Sequence, residues 1–189
     1  MATVYLLRHG EADYGPIRER NWPGAASDLA PLTARGSQQA RTAARQLSSA
    51  GAVGIVSSPM TRALQTAALL ACGLGLLLEV DFELREWLPD DTFSWRSYAD
   101  VVTAADDFER CGGEWPAGQR RRWEPLSQVQ ERAAGALTRH LSPVNDDQVL
   151  IAVCHQMVIR ALTGERSTTA GAFRRISFPG RRGQRTSDA

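Results

Sequence analysis

The chain has 189 residues, of which 22 are basic and 21 are acidic, so its formal net charge is +1. This length predicts one domain, and the near-neutral charge argues against a nucleic-acid or membrane-surface partner. The three scattered cysteines lack a C-x-x-C spacing, which indicates a reducing compartment and argues against a disulfide framework or a structural zinc site. Because no leader pattern is present and no apolar run reaches the roughly 20 residues of a membrane helix, we predict a cytoplasmic protein.

The first half of the chain alternates strand and helix patterns. An apolar β-rich run at residues 3–7 predicts the first strand, and a loop without clear periodicity follows at residues 11–31. Thr33 has the position of an N-cap, so a helix is predicted from there to before Gly51. A strand at residues 52–56, a helix from about residue 59 to about residue 71 and a strand at residues 76–80 come next.

The second half begins with an irregular segment, residues 81–125, which holds four of the five tryptophans and the arginine run 120–122. An amphipathic helix is predicted at residues 126–141, a strand at 149–153, a short helix at 156–162 and a last strand, a candidate edge strand, at 172–178. We predict a single α/β domain over residues 1–179, with a mainly parallel sheet between helices, and a disordered tail over residues 180–189.

Three predicted strands end in basic side chains. Arg8 and His9 follow the first strand, Arg62 comes shortly after the second, and His155 follows the strand at residues 149–153. Because ligands of open α/β sheets bind at the carboxyl ends of the strands, we expect these side chains to form one site. Guanidinium groups suit the oxygens of a phosphate ester, and a neutral imidazole can attack phosphorus to form a phosphohistidine. The leaving alkoxide then needs a proton from a carboxylic acid.

Five short motifs support this interpretation. In chain order they are Arg8-His9-Gly10-Glu11, the stretch Leu32 to Ala40, the stretch Ser57 to Thr66, Leu84-Arg85-Glu86, and the stretch Cys154 to Leu162. In this order they resemble the histidine phosphatase superfamily, also called the phosphoglycerate mutase-like family.

The resemblance implies a three-layer α/β/α sandwich and a phosphatase reaction that uses no metal and no organic cofactor. It implies that His9 is the nucleophile, that Arg8, Arg62 and His155 line the phosphate pocket, and that Glu86 is the general acid. Gln156 stands where many members have glycine, and we assign it to the phosphate-binding set as well.

The function with most support is hydrolysis of a small phosphorylated metabolite through phospho-His9. A phosphomutase, or another non-hydrolytic biosynthetic enzyme on the same scaffold, remains an alternative, as does a catalytically weak binder of a phosphorylated ligand. The stretch 12–15 lacks the hydroxyl and asparagine side chains that many members carry there, which weakens the mutase alternative. A metallohydrolase is disfavoured because arginines beside the histidines would repel a cation.

Three smaller questions concern single residues. Glu86 is preferred over Glu83 as the acid because of its spacing from Leu84. Cys154 is expected to be a buried structural thiol rather than part of a dyad, because neighbours on a strand point to opposite faces. Residues 81–125 are predicted to form a specificity lid in which at least one tryptophan lines the pocket and arginines meet a second anionic group. The alternative is that the tryptophans pack a small satellite core.

Overall fold

A five-stranded sheet forms the centre of the molecule in a computed structural model, which describes residues 1–141 and 147–179. The strands are β1 (Ala2–Arg8), β2 (Gly54–Ser57), β3 (Leu78–Val80), β4 (Val149–Cys154) and β5 (Phe173–Phe178). Their spatial order is β3-β2-β4-β1-β5, with β1 to β4 parallel and β5 antiparallel to β1 at the edge. The predicted mainly parallel sheet and the edge position of the last strand are confirmed.

Helices cover both faces of this sheet. They are α1 (Gly15–Glu19), α2 (Ala34–Gln46), α3 (Thr61–Leu74), α4 (Tyr98–Arg110), α5 (Leu126–His140) and α6 (Gln156–Thr163). Alternate residues of β1 and β4 point to opposite faces. Leu7 and Val153 pack with α2 and α3, whereas Leu6 and Ala152 pack with α5 and α6. The three-layer α/β/α architecture is therefore confirmed.

The start of α2 is held close to the chain that leaves β1. The Thr33 hydroxyl accepts a hydrogen bond from the Gly36 amide, which makes Thr33 the predicted N-cap. A Cβ on Gly10 would lie 2.4 Å from the Gly36 carbonyl oxygen, and one on Gly36 would lie 2.1 Å from the carbonyl oxygen of Glu11. The two backbone segments can come this close only because both positions are glycine. This close contact fixes the loop that carries His9.

The segment 81–125 is more regular than its composition indicated. It begins with a 3₁₀ helix (Phe82–Leu84) and contains the 13-residue helix α4. Ser97 and Asp100 form a reciprocal capping box at the start of α4. The prediction of an irregular segment is therefore wrong for residues 98–110, which form α4; this helix buries one large side chain, Phe108, and leaves most of its surface in solvent.

Three of the four tryptophans of this segment pack together. The rings of Trp87 and Trp123 lie 5.4 and 5.2 Å from that of Phe108, each in an edge-to-face arrangement. Trp115 packs against the same core and donates its indole N–H to the Trp123 carbonyl. Trp95 lies apart from them, and its indole ring would be 2.2 Å from a Cβ on Gly24. These three tryptophans therefore belong to, or pack on, the main core between the sheet and α5 rather than a small satellite core, and Trp95 remains the candidate for the pocket.

The arginine run of this segment is neutralised by aspartates. The ion pairs are Arg120–Asp91 at 2.7 Å, Arg121–Asp107 at 3.1 Å and Arg122–Asp90 at 3.3 Å. Two of these arginines are largely exposed, so each pair contributes little stability by itself. The expectation that this run meets a second anionic group loses support, because each guanidinium already has a carboxylate partner.

Within residues 1–141 and 147–179, no helix is long and apolar enough to cross a membrane. The predicted disorder of residues 180–189 concerns a part of the chain that lies outside these described residues.

Candidate active site

The carboxyl edge of the sheet brings the two predicted histidines together. β1 and β4 are adjacent parallel strands in which Arg8 is paired with Cys154, and the His9 amide donates to the Cys154 carbonyl at 3.1 Å. His9 and His155 therefore leave the sheet side by side, and their ring centroids are 5.0 Å apart. Both are almost completely buried.

His9 is held in one orientation by its own loop. Its Nδ1 lies 2.7 Å from the Gly10 carbonyl oxygen, which can only accept a hydrogen bond. In the neutral ring the proton is therefore on Nδ1, and the lone pair is on Nε2. Burial, followed by the positive charge of Arg62, lowers the pKa of His9 from 6.5 to about 3. The imidazole is thus neutral at neutral pH, with its lone pair on Nε2.

Arg62 lies beside that nitrogen. It is carried by the first turn of α3, which follows β2, and its Nε donates to His9 Nε2 at 3.2 Å. Its other nitrogens donate to the Ser27 carbonyl oxygen at 3.1 Å and to Met60 Sδ at 3.2 Å. Ser27 belongs to a 3₁₀ helix (Gly24–Leu29) in the loop after β1, so this loop closes over the site.

His155 is oriented by Ser58. His155 Nε2 lies 2.8 Å from Ser58 Oγ, which also accepts a hydrogen bond from the Met60 amide at 3.3 Å. The serine hydroxyl can therefore donate to Nε2, which leaves the ring proton on Nδ1. Burial and the charge of Arg62 lower the pKa of His155 well below its usual value, so this ring is neutral as well.

Arg8 is held by Gln156 and by the loop that follows α6. Its guanidinium donates to the Thr168 carbonyl oxygen at 2.5 Å and to Gln156 Oε1 at 3.5 Å. The same oxygen of Gln156 accepts from the Thr168 amide, and its Nε2 donates to the Arg166 carbonyl oxygen. Gln156 thus contacts Arg8 and the loop after α6, and its assignment to the phosphate-binding set stays a prediction.

Glu86 reaches the same edge of the sheet from the chain that follows β3. Its Oε1 accepts hydrogen bonds from the Trp87 amide at 2.9 Å and from the Met157 amide, in the first turn of α6, at 3.2 Å. Burial raises the pKa of Glu86, although Arg62 and Arg132 oppose this effect. Within the described parts of the chain, Oε2 has no hydrogen-bond partner, so it is the oxygen that can carry the acid proton.

Glu83 and Glu86, the two candidates for the general acid, have different surroundings. Glu83 forms an ion pair of 2.6 Å with Arg85 and is about one-third exposed, whereas Glu86 is at the site. Cys154 is fully buried, and this burial strongly raises the pKa of its thiol. The prediction of a buried structural cysteine is confirmed.

Two buried nitrogens at the site face no hydrogen-bond acceptor in residues 1–141 and 147–179. They are His155 Nδ1 and Arg8 Nε. A buried donor without a partner is costly, so each of these atoms suits an acceptor on a bound anionic ligand. Across the same described ranges, no group of three or more His, Cys, Asp or Glu side chains is arranged to hold a metal ion.

Two contacts of the site were missed by sequence reasoning. The Ser27 carbonyl is a backbone atom in a loop without periodicity, and no side-chain pattern could have identified it. Ser58 had a detectable signal, because it directly follows β2 at the sheet edge where ligands bind.

Comparison with known proteins gives consistent results. The model of the histidine phosphatase superfamily (branch 1) matches residues 4–179. A probable phosphoglycerate mutase GpmB of Cronobacter sakazakii is 30% identical over 164 residues, which cover 86% of this chain and 73% of that protein. The protein of the same name from Salmonella typhi is 40% identical over 126 residues, which are 60% of this chain and 56% of that one.

Solved structures share the fold at low sequence identity. A mycobacterial glucosyl-3-phosphoglycerate phosphatase, in complex with VO3, has a TM-score of 0.70 and 23% identity over 92% of this chain and 90% of that chain. A putative α-ribazole-5'-P phosphatase from Escherichia coli has a TM-score of 0.61 and 24% identity over 90% and 81% of the two chains.

Proposed function

Since the chain belongs to the histidine phosphatase superfamily, we propose that it hydrolyses a small phosphorylated metabolite through a phosphohistidine at His9. The observation that carries the proposal is the contact of 3.2 Å between Arg62 Nε and His9 Nε2. It puts a guanidinium beside the lone pair of a buried neutral imidazole, which suits a nucleophile that attacks a dianionic phosphoryl group.

In the first step, Arg62 transfers its hydrogen bond from His9 Nε2 to the phosphoryl oxygens, the freed lone pair of Nε2 attacks phosphorus, and the bond between phosphorus and the ester oxygen breaks. Arg62 and Arg8 offset the charge of the phosphoryl oxygens, and the Nδ1–H of His155 donates to one of them. Glu86, protonated on Oε2, gives its proton to the leaving alkoxide. The raised pKa of Glu86 supports this role, since the acid must hold its proton near neutral pH.

In the second step, the Glu86 carboxylate accepts a proton from water as the water oxygen attacks phospho-His9. Inorganic phosphate leaves, and neutral His9 and protonated Glu86 are restored. No metal takes part in this scheme, because the arginine charges near His9 would oppose a cation at the same place.

Segment 81–125 supplies specificity in this proposal. Trp95 packs against Gly24, which begins the 3₁₀ helix whose Ser27 carbonyl accepts from Arg62. The segment is thereby linked to the loop that closes over the phosphate pocket. A cytoplasmic location is also part of the proposal, since all three cysteines are free thiols.

A phosphomutase is the second candidate, because the GpmB relatives are named as probable phosphoglycerate mutases. A mutase would return the phosphoryl group of phospho-His9 to a hydroxyl of the bound product. The stretch Ala12 to Gly15 offers one carboxylate and one phenol here, which does not favour retention of a second anionic group.

The test is a screen of phosphorylated metabolites in the presence of a chelator, in which phosphate release and phosphate migration are both followed. Release without migration supports the phosphatase, and migration without release supports the mutase. Loss of all turnover on chelation, with recovery on adding a divalent metal, would contradict the proposed mechanism.

A further inference from the structure

Arg132 of α5 forms a buried ion pair near the proposed acid. Its Nε donates to Glu124 Oε1 at 2.6 Å and its NH2 group donates to Glu124 Oε2 at 3.0 Å. The two side chains are only 8% and 6% exposed. A buried ion pair is weak evidence for stability, because two charges must be removed from water. The ion pair can nevertheless hold neighbouring backbone groups in one position through its further hydrogen bonds.

The same guanidinium donates hydrogen bonds to three backbone carbonyls of the segment that contains Glu86. Arg132 donates to the carbonyl oxygens of Glu83 at 2.5 Å, of Arg85 at 2.9 Å and of Glu86 itself at 3.3 Å. These carbonyls lie 46 to 49 residues earlier in the chain. Arg132 therefore contacts the backbone of the proposed acid directly.

Glu124 contacts the two residues that follow Glu86, Trp87 and Leu88. Its carboxylate accepts from the Leu88 amide at 3.3 Å, and its backbone carbonyl accepts from the Trp87 indole at 2.6 Å. Its own amide donates to the Leu88 carbonyl at 2.9 Å. Since the 3₁₀ helix ends at Leu84, these contacts replace regular structure in fixing residues 85–88.

We propose that Arg132, paired with Glu124, is the positioning residue for Glu86, and that it fixes the direction from which the acid proton reaches the leaving oxygen. The inference rests on the proposed function, because it assigns the carboxyl of Glu86 to proton transfer. Small displacements of a general acid cost rate, since the proton must be within hydrogen-bond reach of the leaving oxygen.

The charge of Arg132 has a second, measurable effect. Besides burial, the groups that act on the pKa of the Glu86 carboxyl are the Trp87 amide, Arg62 of α3, the Met157 amide of α6 and Arg132 of α5. Burial raises the pKa of Glu86 and both arginines lower it, so loss of Arg132 raises this pKa further. Because the acid acts when protonated, the high-pH fall in activity moves to higher pH.

Arg132→Met removes both the positive charge and the hydrogen bonds to Glu124 and to the backbone carbonyls. Arg132→Lys keeps the charge but loses the planar set of N–H donors. Arg139→Met is the matched control, because Arg139 lies on the same helix and holds Asp81 at 2.9 Å without touching the Glu86 backbone. Each variant is assayed with an alkyl phosphate and with p-nitrophenyl phosphate across pH.

For Arg132→Met we expect kcat for the alkyl ester to fall at least about tenfold, with a much smaller loss for the aryl ester, whose leaving group needs little protonation. The high-pH limb for the alkyl ester should move upward. Arg132→Lys should lose rate without moving this limb, and Arg139→Met should match the wild type. Equal losses on both esters with an unmoved limb would overturn the proposal.

Arg132→Met leaves the buried Glu124 carboxylate with only Arg85, at 3.5 Å, as an ion-pair partner, and this loss can prevent folding. Arg132→Met/Glu124→Leu removes both charges, and its loss on the alkyl ester relative to the aryl ester gives the same test. Equal losses there would also overturn the proposal.

A carbon-13 titration of labelled glutamate carboxyls separates this inference from the proposed function. The resonance that is lost in Glu86→Gln identifies Glu86, and its midpoint should be higher in Arg132→Met than in the wild type. An unchanged midpoint would overturn the inference. A wild type that hydrolyses neither ester would instead contradict the proposed function.

Discussion

Arg62→Met tests how the nucleophile is kept neutral. The substitution removes the positive charge that lies 3.2 Å from His9 Nε2 and retains an apolar chain of similar length. A neutral His9 is required for attack on phosphorus, so activity falls as pH drops through the pKa of His9. In the wild type this pKa is about 3, and activity should therefore persist well into the acid range.

The expected shift follows from the contributions to that pKa. Two like charges at about 4 Å and an effective dielectric constant of about 20 repel by about 4 kcal/mol, or about three pKa units. Burial is the larger cause at His9, and it persists in the variant. We therefore expect the pKa of His9 to rise by about one to two units, and the acid limb of the rate profile to move upward by the same amount.

The assay is kcat and kcat/KM for p-nitrophenyl phosphate from about pH 3 to about pH 8, and the acid limb is taken from kcat/KM, which reports the free enzyme. In Arg62→Met, kcat at neutral pH should also fall by roughly 100-fold or more, because a donor to the transferring phosphoryl group is lost. Arg62→Lys is the matched control: its charge keeps the acid limb in place, but it rescues kcat poorly because the bidentate contact is missing. An unmoved limb in Arg62→Met, together with a change in KM alone, would refute this reasoning.

Two further variants test the acid and the specificity segment. Glu86→Gln should slow alkyl phosphates by about 100-fold or more and aryl phosphates far less, and the high-pH fall in wild-type activity on alkyl phosphates should disappear. Equal losses on both ester types would contradict the assignment of Glu86. Trp95→Ala should raise KM for the best metabolite found in the screen, while KM for p-nitrophenyl phosphate changes by less than about twofold. An unchanged KM for the metabolite would rule out Trp95 as a pocket residue.

The placement of the basic side chains could be predicted because strand ends are strong signals. Apolar runs give the strands, and parallel neighbours end at one edge of the sheet. The positions of Arg8 at the end of β1, of His9 after it and of His155 after β4 needed no more information than this. The structure adds the tautomer of His9, which depends on the carbonyl of Gly10 and cannot be obtained from residue types.

The missed helix α4 shows a different limit. Its start had a recognisable signal in Ser97 and Asp100, three residues apart. Its apolar residues also recur at helical spacing, and Phe108 is the one large side chain among them that is fully buried. The five-residue helix α1 had still less signal, since helices of this length depend on tertiary contacts.

The role of Arg132 could not be predicted from the sequence by any local pattern. Its partners are three backbone carbonyls of the segment 83–86 and one glutamate, and carbonyls carry no residue identity. A charged residue on an amphipathic helix is exposed by default, and Arg132 departs from that default. Burial of an arginine that faces backbone atoms became visible only when the chain was folded.

The most direct test of the central claim is to trap the phosphoenzyme. After brief mixing with a phosphorus-32-labelled substrate and denaturation in alkaline detergent, we predict acid-labile, base-stable label on the peptide that contains His9. The label should be absent in His9→Ala, whose activity should fall below about a hundredth of the wild type. Label on another residue, or more than about a hundredth of the activity in His9→Ala, would contradict the account.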